Sequence, residues 1–286
     1  MFASVAFGLF LWNRASLERN PTVVIDGDPL MVASLNKENN TLVLVSIPAT
    51  LSVDVAHGLG TYPISSLWQL GEQEGTSGQI MSLSVEELLA VSIPWFVGGT
   101  DQDLYEIFRF RTIPRLLSGA IKTNMTLATF LWLSWHLGAV TSDRVIRISI
   151  PRALTTRDSL PDGSERHTVS GALLDTVLSD EFEIESVRRE RLTIRVVNTT
   201  TTPGLAERMA RKVSRIGGNV VRTGNEEVSV EDCQIRASRD VLKSKTVAVL
   251  AALFGCVELA STAEQYSDLT VAVGRAYEAR FTPGVD

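Results

Sequence analysis

Apolar and polar positions along this chain fall into two regimes. Before residue 150 the apolar stretches are long and mixed in type. Val23 to Leu35 and Thr41 to Ile47 are rich in β-branched residues and predict strands. Asn36 to Asn40 is a polar cluster between them, so the pair reads as a hairpin with a five-residue loop, and Pro48 ends its second strand. Gly71 to Gly78 is rich in Gly, Glu and Ser and predicts a loop. A short helix then opens near Ser84, with Ser82 or Ser84 as its cap. Leu104 to Ile121 and Leu127 to Leu137 carry apolar residues at helical spacing, and Val145 to Ile150 alternates as a strand. This order is mixed α and β without a clean βαβ repeat.

Thr155 to His167 is polar and contains Pro161 and Gly163, which predicts a loop or linker. Val169 to Leu178 reads as a helix, and Phe182 to Arg191 is charged. Beyond it the pattern alternates more regularly. Strands are expected at Leu192 to Asn198, Asn219 to Arg222, Val230 to Ala237, Val257 to Leu259 and Leu269 to Val273. Helices are expected from Pro203 to Ile216, closed by Gly217-Gly218, and from a Ser238 cap to Phe254, closed by Gly255. The fold class is therefore α/β of the α+β kind: a mixed-sheet N-terminal domain at 21–154, a linker at 155–190, and a small α/β sandwich at 191–282.

Composition narrows the function. The chain has 286 residues, 44% hydrophobic and 21% charged, with a net charge of -6. That balance provides no global basic field, and no helix-turn-helix with a basic recognition helix is visible, so nucleic acid is not an expected partner. The three histidines, His57, His136 and His167, lack metal-ligand spacing, and no metal site is expected. Met1 to Trp12 is apolar apart from Ser4, too short for a membrane span of about 20 residues and without the basic flank of a signal peptide. It reads as part of a truncated anchor occupying 1–20; a buried N-terminal helix is the other reading. Cys233 and Cys256 are expected as independent buried residues, with a disulfide the alternative.

The stretch Leu192 to Glu227, LTIRVVNTTTTPGLAERMARKVSRIGGNVVRTGNEE, resembles the LytR C-terminal domain. Asn198 ends the first strand, Gly204-Leu205-Ala206 opens the helix, and Gly224-Asn225 follows the second strand, as in that family. Thr199 stands where a glycine is usual. The first region resembles a degenerate LytR-CpsA-Psr catalytic domain. Ser46-Ile47-Pro48 matches the family's Ser-Ile-Pro-Arg-Asp-Thr, but Ala49 and Thr50 replace the arginine and aspartate. Asp103 and Arg109 match a later Asp-x-x-Arg-x-x-Arg-Gln, with Glu106 and Phe110 departing from it. Lys122 to Thr126 resembles a Thr-Asn-Leu-Ser turn.

The family is expected to move glycopolymer from polyprenyl-pyrophosphate to the cell wall. That chemistry needs cations against the leaving phosphate and carboxylates for Mg²⁺. The resemblance makes Asp103 and Arg109 the candidate catalytic pair. Arg111 and Arg115, four apart on one helix face, are candidate substrate-binding residues or a solvated basic edge. Asn198 with Thr199 to Thr202 is a candidate glycan contact, or a turn and helix cap. Phe130, Trp132 and Trp135 line either a lipid tunnel or ordinary core. Between Pro21 and Val140 five Lys/Arg stand against eleven Asp/Glu, which disfavours a pyrophosphate site. The expectation is a non-catalytic protein at the extracytoplasmic face of the cell membrane, held there by its N-terminal anchor. It would bind wall glycopolymer, polyprenyl-phosphate lipid or an envelope partner, without a cofactor. An active phosphotransferase using Mg²⁺ is the alternative; a transcription-linked regulator is the third reading.

Overall fold

A computed structural model describes residues 20–99, 104–151, 155–159, 165–178, 180–227, 229–261 and 266–281. They form two compact units, Pro21–Phe182 and Glu183–Phe281. The apolar run at 1–12 and Asp103 lie outside the described residues.

In the first unit the run expected as one strand is two. β1 (Thr22–Ile25) and β2 (Leu30–Asn36) turn about Gly27-Asp28-Pro29, and β2 pairs with β3 (Thr41–Ile47) in the expected hairpin. A short ribbon of β4 (Ser52–Val55) and β5 (Gly60–Pro63) follows. Then come α1 (Leu67–Gln73), α2 (Gln79–Leu89), β6 (Trp95–Gly98), α3 (Leu104–Ile107), α4 (Ile113–Leu117), β7 (Lys122–Thr123), α5 (Leu127–Ala139) and β8 (Val145–Ser149). The main sheet has six strands in the order β7–β6–β1–β2–β3–β8; β1 pairs with β6 and β3 with β8 in parallel, the other pairs being antiparallel.

Helices cover both faces of this sheet, which is why its central strands read as unbroken apolar runs. Val24, Val32, Val43 and Val45 share one core with Met81, Val85 and Leu89 of α2. Val23, Ile25, Leu42 and Leu44 share another with Ile107 of α3 and Phe130, Leu133 and Leu137 of α5.

Three sequence expectations change here. The Gly71–Gly78 loop is partly helix: α1 includes Gly71, where a Cβ would overlap the Ser77 carbonyl oxygen. Helix α2 starts at Gln79, so Ser82 and Ser84 lie inside it. Their hydroxyls donate to the Ile93 and Ile80 carbonyls at 2.5 and 2.7 Å instead of capping. The single helix expected over 104–121 is broken into α3, a 3₁₀ turn at Phe110–Thr112, and α4, which carries Pro114 in its first turn. Proline lacks the N–H that a continuous helix would use there.

The 155–190 stretch, expected as a linker with one helix over Val169 to Leu178, holds further regular elements. β9 (Thr155–Ser159) and β10 (Glu165–Val169) form an antiparallel hairpin. α6 (Gly171–Val177) follows, with Ser170 Oγ accepting from the Leu173 N–H. Leu174, Leu178 and Phe182 join the core beneath α2. The alternation of β9 and β10 is hidden in sequence because most of their residues are polar.

The second unit begins with α7 (Glu185–Glu190), then β11 (Thr193–Asn198), α8 (Leu205–Arg215), β12 (Asn219–Asn225), β13 (Gln234–Ala237), α9 (Lys245–Phe254), β14 (Val257–Ala260), β15 (Leu269–Val273) and α10 (Arg275–Glu278). Its sheet runs β12–β11–β15–β13–β14. Leu205, Met209 and Val213 of α8 and Val247 and Leu250 of α9 pack with Ile194, Val196, Ile235, Val271 and Val273 of the sheet. The cap of α9 is Ser244, whose Oγ accepts from the Val247 N–H at 3.2 Å; Ser238 instead serves a preceding 3₁₀ turn.

Cys233 and Cys256 form a disulfide, contrary to the expectation of two independent thiols. β13 and β14 are parallel neighbours with Gln234 opposite Val257. The residues just before each strand are therefore neighbours too, at a Cα separation of 4.3 Å. Strand register, which no local pattern encodes, brings them within disulfide range.

Candidate functional site

The Ser46-Ile47-Pro48 segment ends β3 and runs into a tight turn, with the Leu51 N–H donating to the Pro48 carbonyl at 3.0 Å. The β9–β10 hairpin lies alongside this turn through a parallel bridge between Leu51 and His167. His167 is directly opposite Arg157 in the hairpin, so the two side chains share a face. Pro48, Thr50, Leu51, Thr155, Arg157 and His167 line a cleft of about 280 Å³.

This lining offers a guanidinium, an imidazole and two threonine hydroxyls, the donors that suit an anionic oxygen. Arg157 also faces Glu165, with Nη1 to Oε1 at 3.4 Å and both side chains largely exposed. Exposed pairs of this kind are worth about 0–1 kcal/mol, so an incoming anion competes easily. Among the described residues that line the cleft none is a carboxylate. The described lining therefore gives the Mg²⁺ implied for an active family member no hard anionic ligand, and no step is derived through it. Sequence reasoning passed over Arg157 and His167 because their segment read as a loop. The Pro161-Asp162-Gly163 turn signal between two short runs was the available clue to a hairpin.

The residues singled out from sequence sit elsewhere. Arg109 and Arg111 converge on Glu106: Arg109 Nη1 lies 2.9 Å from Oε1, and Arg111 pairs with the other oxygen. One carboxylate thus holds two guanidiniums, and it stands where the family pattern has an arginine. Arg115 is on α4 beyond the helix break, so it shares no helix face with Arg111. Its side chain is exposed and makes no ion pair among the described residues. None of the three lines the cleft.

A second cleft, of about 500 Å³, lies among α4, β7 and the start of α5, and is lined mainly by Phe96, Leu116, Leu117, Ile121, Met125 and Leu127. Of the aromatics on α5, Phe130 is buried and stacked on Phe108. Trp132 stacks on His136, with the Lys37 ammonium 4.6 Å above its ring. Burial pushes Lys37 down to about 8. Trp135 points outward.

Asn198 is buried at the end of β11, and its amide is used internally. Nδ2 donates to the Thr202 carbonyl at 2.7 Å, while Oδ1 accepts from the Thr200 N–H at 3.0 Å and its hydroxyl at 2.9 Å. Glu278 accepts from the Thr202 N–H at 3.0 Å, and bonds from the threonines hold its carboxyl below the ordinary range. Asn198 is therefore a turn organiser. Helix α8 starts later, after Gly204 in a left-handed conformation (φ 83°), without a side-chain cap.

Residues 191–277 match the family model of LytR_C, the LytR cell envelope-related transcriptional attenuator. That segment is a LytR_C domain. The structure extends the LytR_C domain upstream, since Ile184 and Val187 belong to its core. Glu190 receives the Lys245 and Thr246 N–H groups, both at 2.8 Å, and the Thr246 hydroxyl at 2.7 Å, so it caps α9. Burial pulls this carboxyl upward, but the hydrogen bonds from Thr246 and Lys245 outweigh it and hold it below the usual range.

Solved structures similar to the chain include the transcriptional regulator yvhJ of Bacillus subtilis, 17% identical, covering 56% of this chain and 94% of its own, with a TM-score of 0.42. The regulator EF0465 of Enterococcus faecalis is 12% identical over 57% and 86%, with a TM-score of 0.44. TagT of B. subtilis is 15% identical over 55% and 87%, with a TM-score of 0.40; it is a LytR-CPS2A-psr family protein, solved also with bound octaprenyl pyrophosphate lipid. No curated protein matches the chain.

Proposed function

We propose that this chain is an extracytoplasmic envelope protein that binds wall glycopolymer, free or lipid-linked, without turning it over. The observation carrying this reading is the LytR_C domain with a disulfide built into its sheet. Disulfides persist in oxidising compartments and are rare in the cytosol. The Arg157–His167 cleft supports recognition of an anionic group. That its described lining holds no carboxylate, and that Arg109 and Arg111 lie outside it, support binding over phosphotransfer.

The test is a calorimetric titration of the 286-residue chain with purified phosphate-bearing wall glycopolymer. Saturable binding is expected, weakened at least about tenfold when Arg157→Ala and His167→Ala remove the guanidinium and imidazole donors. Absence of binding overturns the proposal. In parallel, incubation with a polyprenyl-pyrophosphate-linked glycopolymer and Mg²⁺ is expected to yield no transfer. Transfer that disappears in Arg109→Ala would establish the phosphotransferase alternative.

A further inference from the structure

Helix α5 is apolar on its outer side as well as its inner one. Phe130, Leu133 and Leu137 are buried in the core. Leu127, Leu131 and Trp135 are spaced by four and form an adjoining stripe. Leu127 is 41% exposed and Trp135 69%. Leu117 of α4, 70% exposed, lines the same cleft as Leu127, so the apolar surface continues from one helix to the next. A contiguous outward patch of this kind marks an interaction surface.

The surrounding charge identifies what covers it. Residues 123–142 contain no Lys, Arg, Asp or Glu. Across Leu104 to Arg147 six Lys/Arg stand against two Asp/Glu, a net +4 within a chain of net -6. Both acids belong to this basic group: Glu106 is spent on Arg109 and Arg111, and Asp143 adjoins Arg144. Lys122 pairs with Glu72, while Arg115 and Arg147 make no ion pairs among the described residues. Arg147 is opposite Leu44 on β3, which places it on the α5 side of the sheet. An uncharged apolar stripe with an outward tryptophan, flanked by surplus cations, matches an anionic lipid surface, where Trp favours the headgroup level and cations meet phosphate. No helix among the described residues is long and apolar enough to cross a membrane. The 13-residue α5 is about 20 Å long and can only lie flat.

We infer that the outer face of α5, with Leu117, seats this protein on the surface of an anionic bilayer. This goes beyond the polymer-binding reading and does not depend on the Arg157–His167 cleft; loss of polymer binding would leave it standing.

The experiment is co-sedimentation of the full chain with vesicles of equal phosphatidylcholine and phosphatidylglycerol. The paired substitution Leu127→Ser and Trp135→Ser is expected to lower partitioning at least about tenfold. Vesicles of phosphatidylcholine alone are expected to bind several-fold less. Quenching by brominated lipid, read in a chain whose Trp12 is already replaced by Phe so that the apolar N-terminal run is silent, supplies a readout independent of folding: Trp135→Phe, a mild change, is expected to remove most of the quenchable emission. Unchanged partitioning of a folded double variant, or unchanged quenching in Trp135→Phe, would overturn the inference. So would a vesicle-free dimer, seen by light scattering, that the substitutions dissociate, because the stripe would then be a contact between copies.

Discussion

The disulfide in the LytR_C domain allows its contribution to be calculated and measured. Cys233 and Cys256 are 23 residues apart and enclose the α9 crossover between β13 and β14. Closing a loop of this length removes unfolded-state entropy worth about 3 kcal/mol at 25 °C. For a unit of roughly 100 residues, with an unfolding entropy of about 0.2 kcal/mol/K, that corresponds to about 15 °C in Tm. Reduction and mutation should differ. Reduction breaks the covalent link but leaves both buried sulfurs in place, whereas Cys233→Ala with Cys256→Ala also removes packed atoms, for about 1 kcal/mol more. The assay is urea unfolding of the full chain with and without dithiothreitol, read by hydrogen exchange at the β11 and β15 amides, which lie in this domain. Slowed exchange is expected in the oxidised form. If reduction changes the protection free energy by less than about 1 kcal/mol, the loop-entropy reasoning is wrong. If the native oxidised protein labels rapidly with iodoacetamide, the bond itself is absent.

Two further outcomes are expected in the same domain. Glu190→Gln should cost about 1–2 kcal/mol, since a charged cap on the Lys245 and Thr246 N–H groups is replaced by a neutral one. Its sign with pH follows from the depressed carboxyl. The stabilisation is complete above the unfolded value near about 4.3 and is lost as pH falls through the lower folded value. Melting scans from neutral to acid pH should therefore show a shallower decline for Glu190→Gln than for the parent; parallel curves would refute the assignment. Asn198→Ala leaves the Thr200 N–H and the Thr202 carbonyl without their buried partner, and should lower stability by about 2 kcal/mol in urea titration. An unchanged midpoint would show that the turn needs no organiser and would return Asn198 to candidacy as a ligand contact.

Much of the LytR_C domain was legible in the chain alone. Its strands alternate, α8 is bounded by Gly204 and Gly217, and α9 ends at Gly255, whose left-handed φ of 69° suits glycine. These are local signals, carried by a period of 2 or 3.6 and by backbone permission at single residues. The β2–β3 hairpin and α5 were legible for the same reason. Tertiary structure decided the rest, because each remaining feature depends on residues far apart in the chain. The register of β13 against β14 paired Cys233 with Cys256. Glu190 became a cap only because α7 packs beside the start of α9, 55 residues later. Arg157 and His167 became a candidate site when a polar hairpin settled against the turn after Pro48. Arg109 and Arg111 meet on Glu106, away from that cleft. The outward face of α5 shares its composition with the inward one, and packing alone decided that Phe130 is core while Trp135 meets the surroundings.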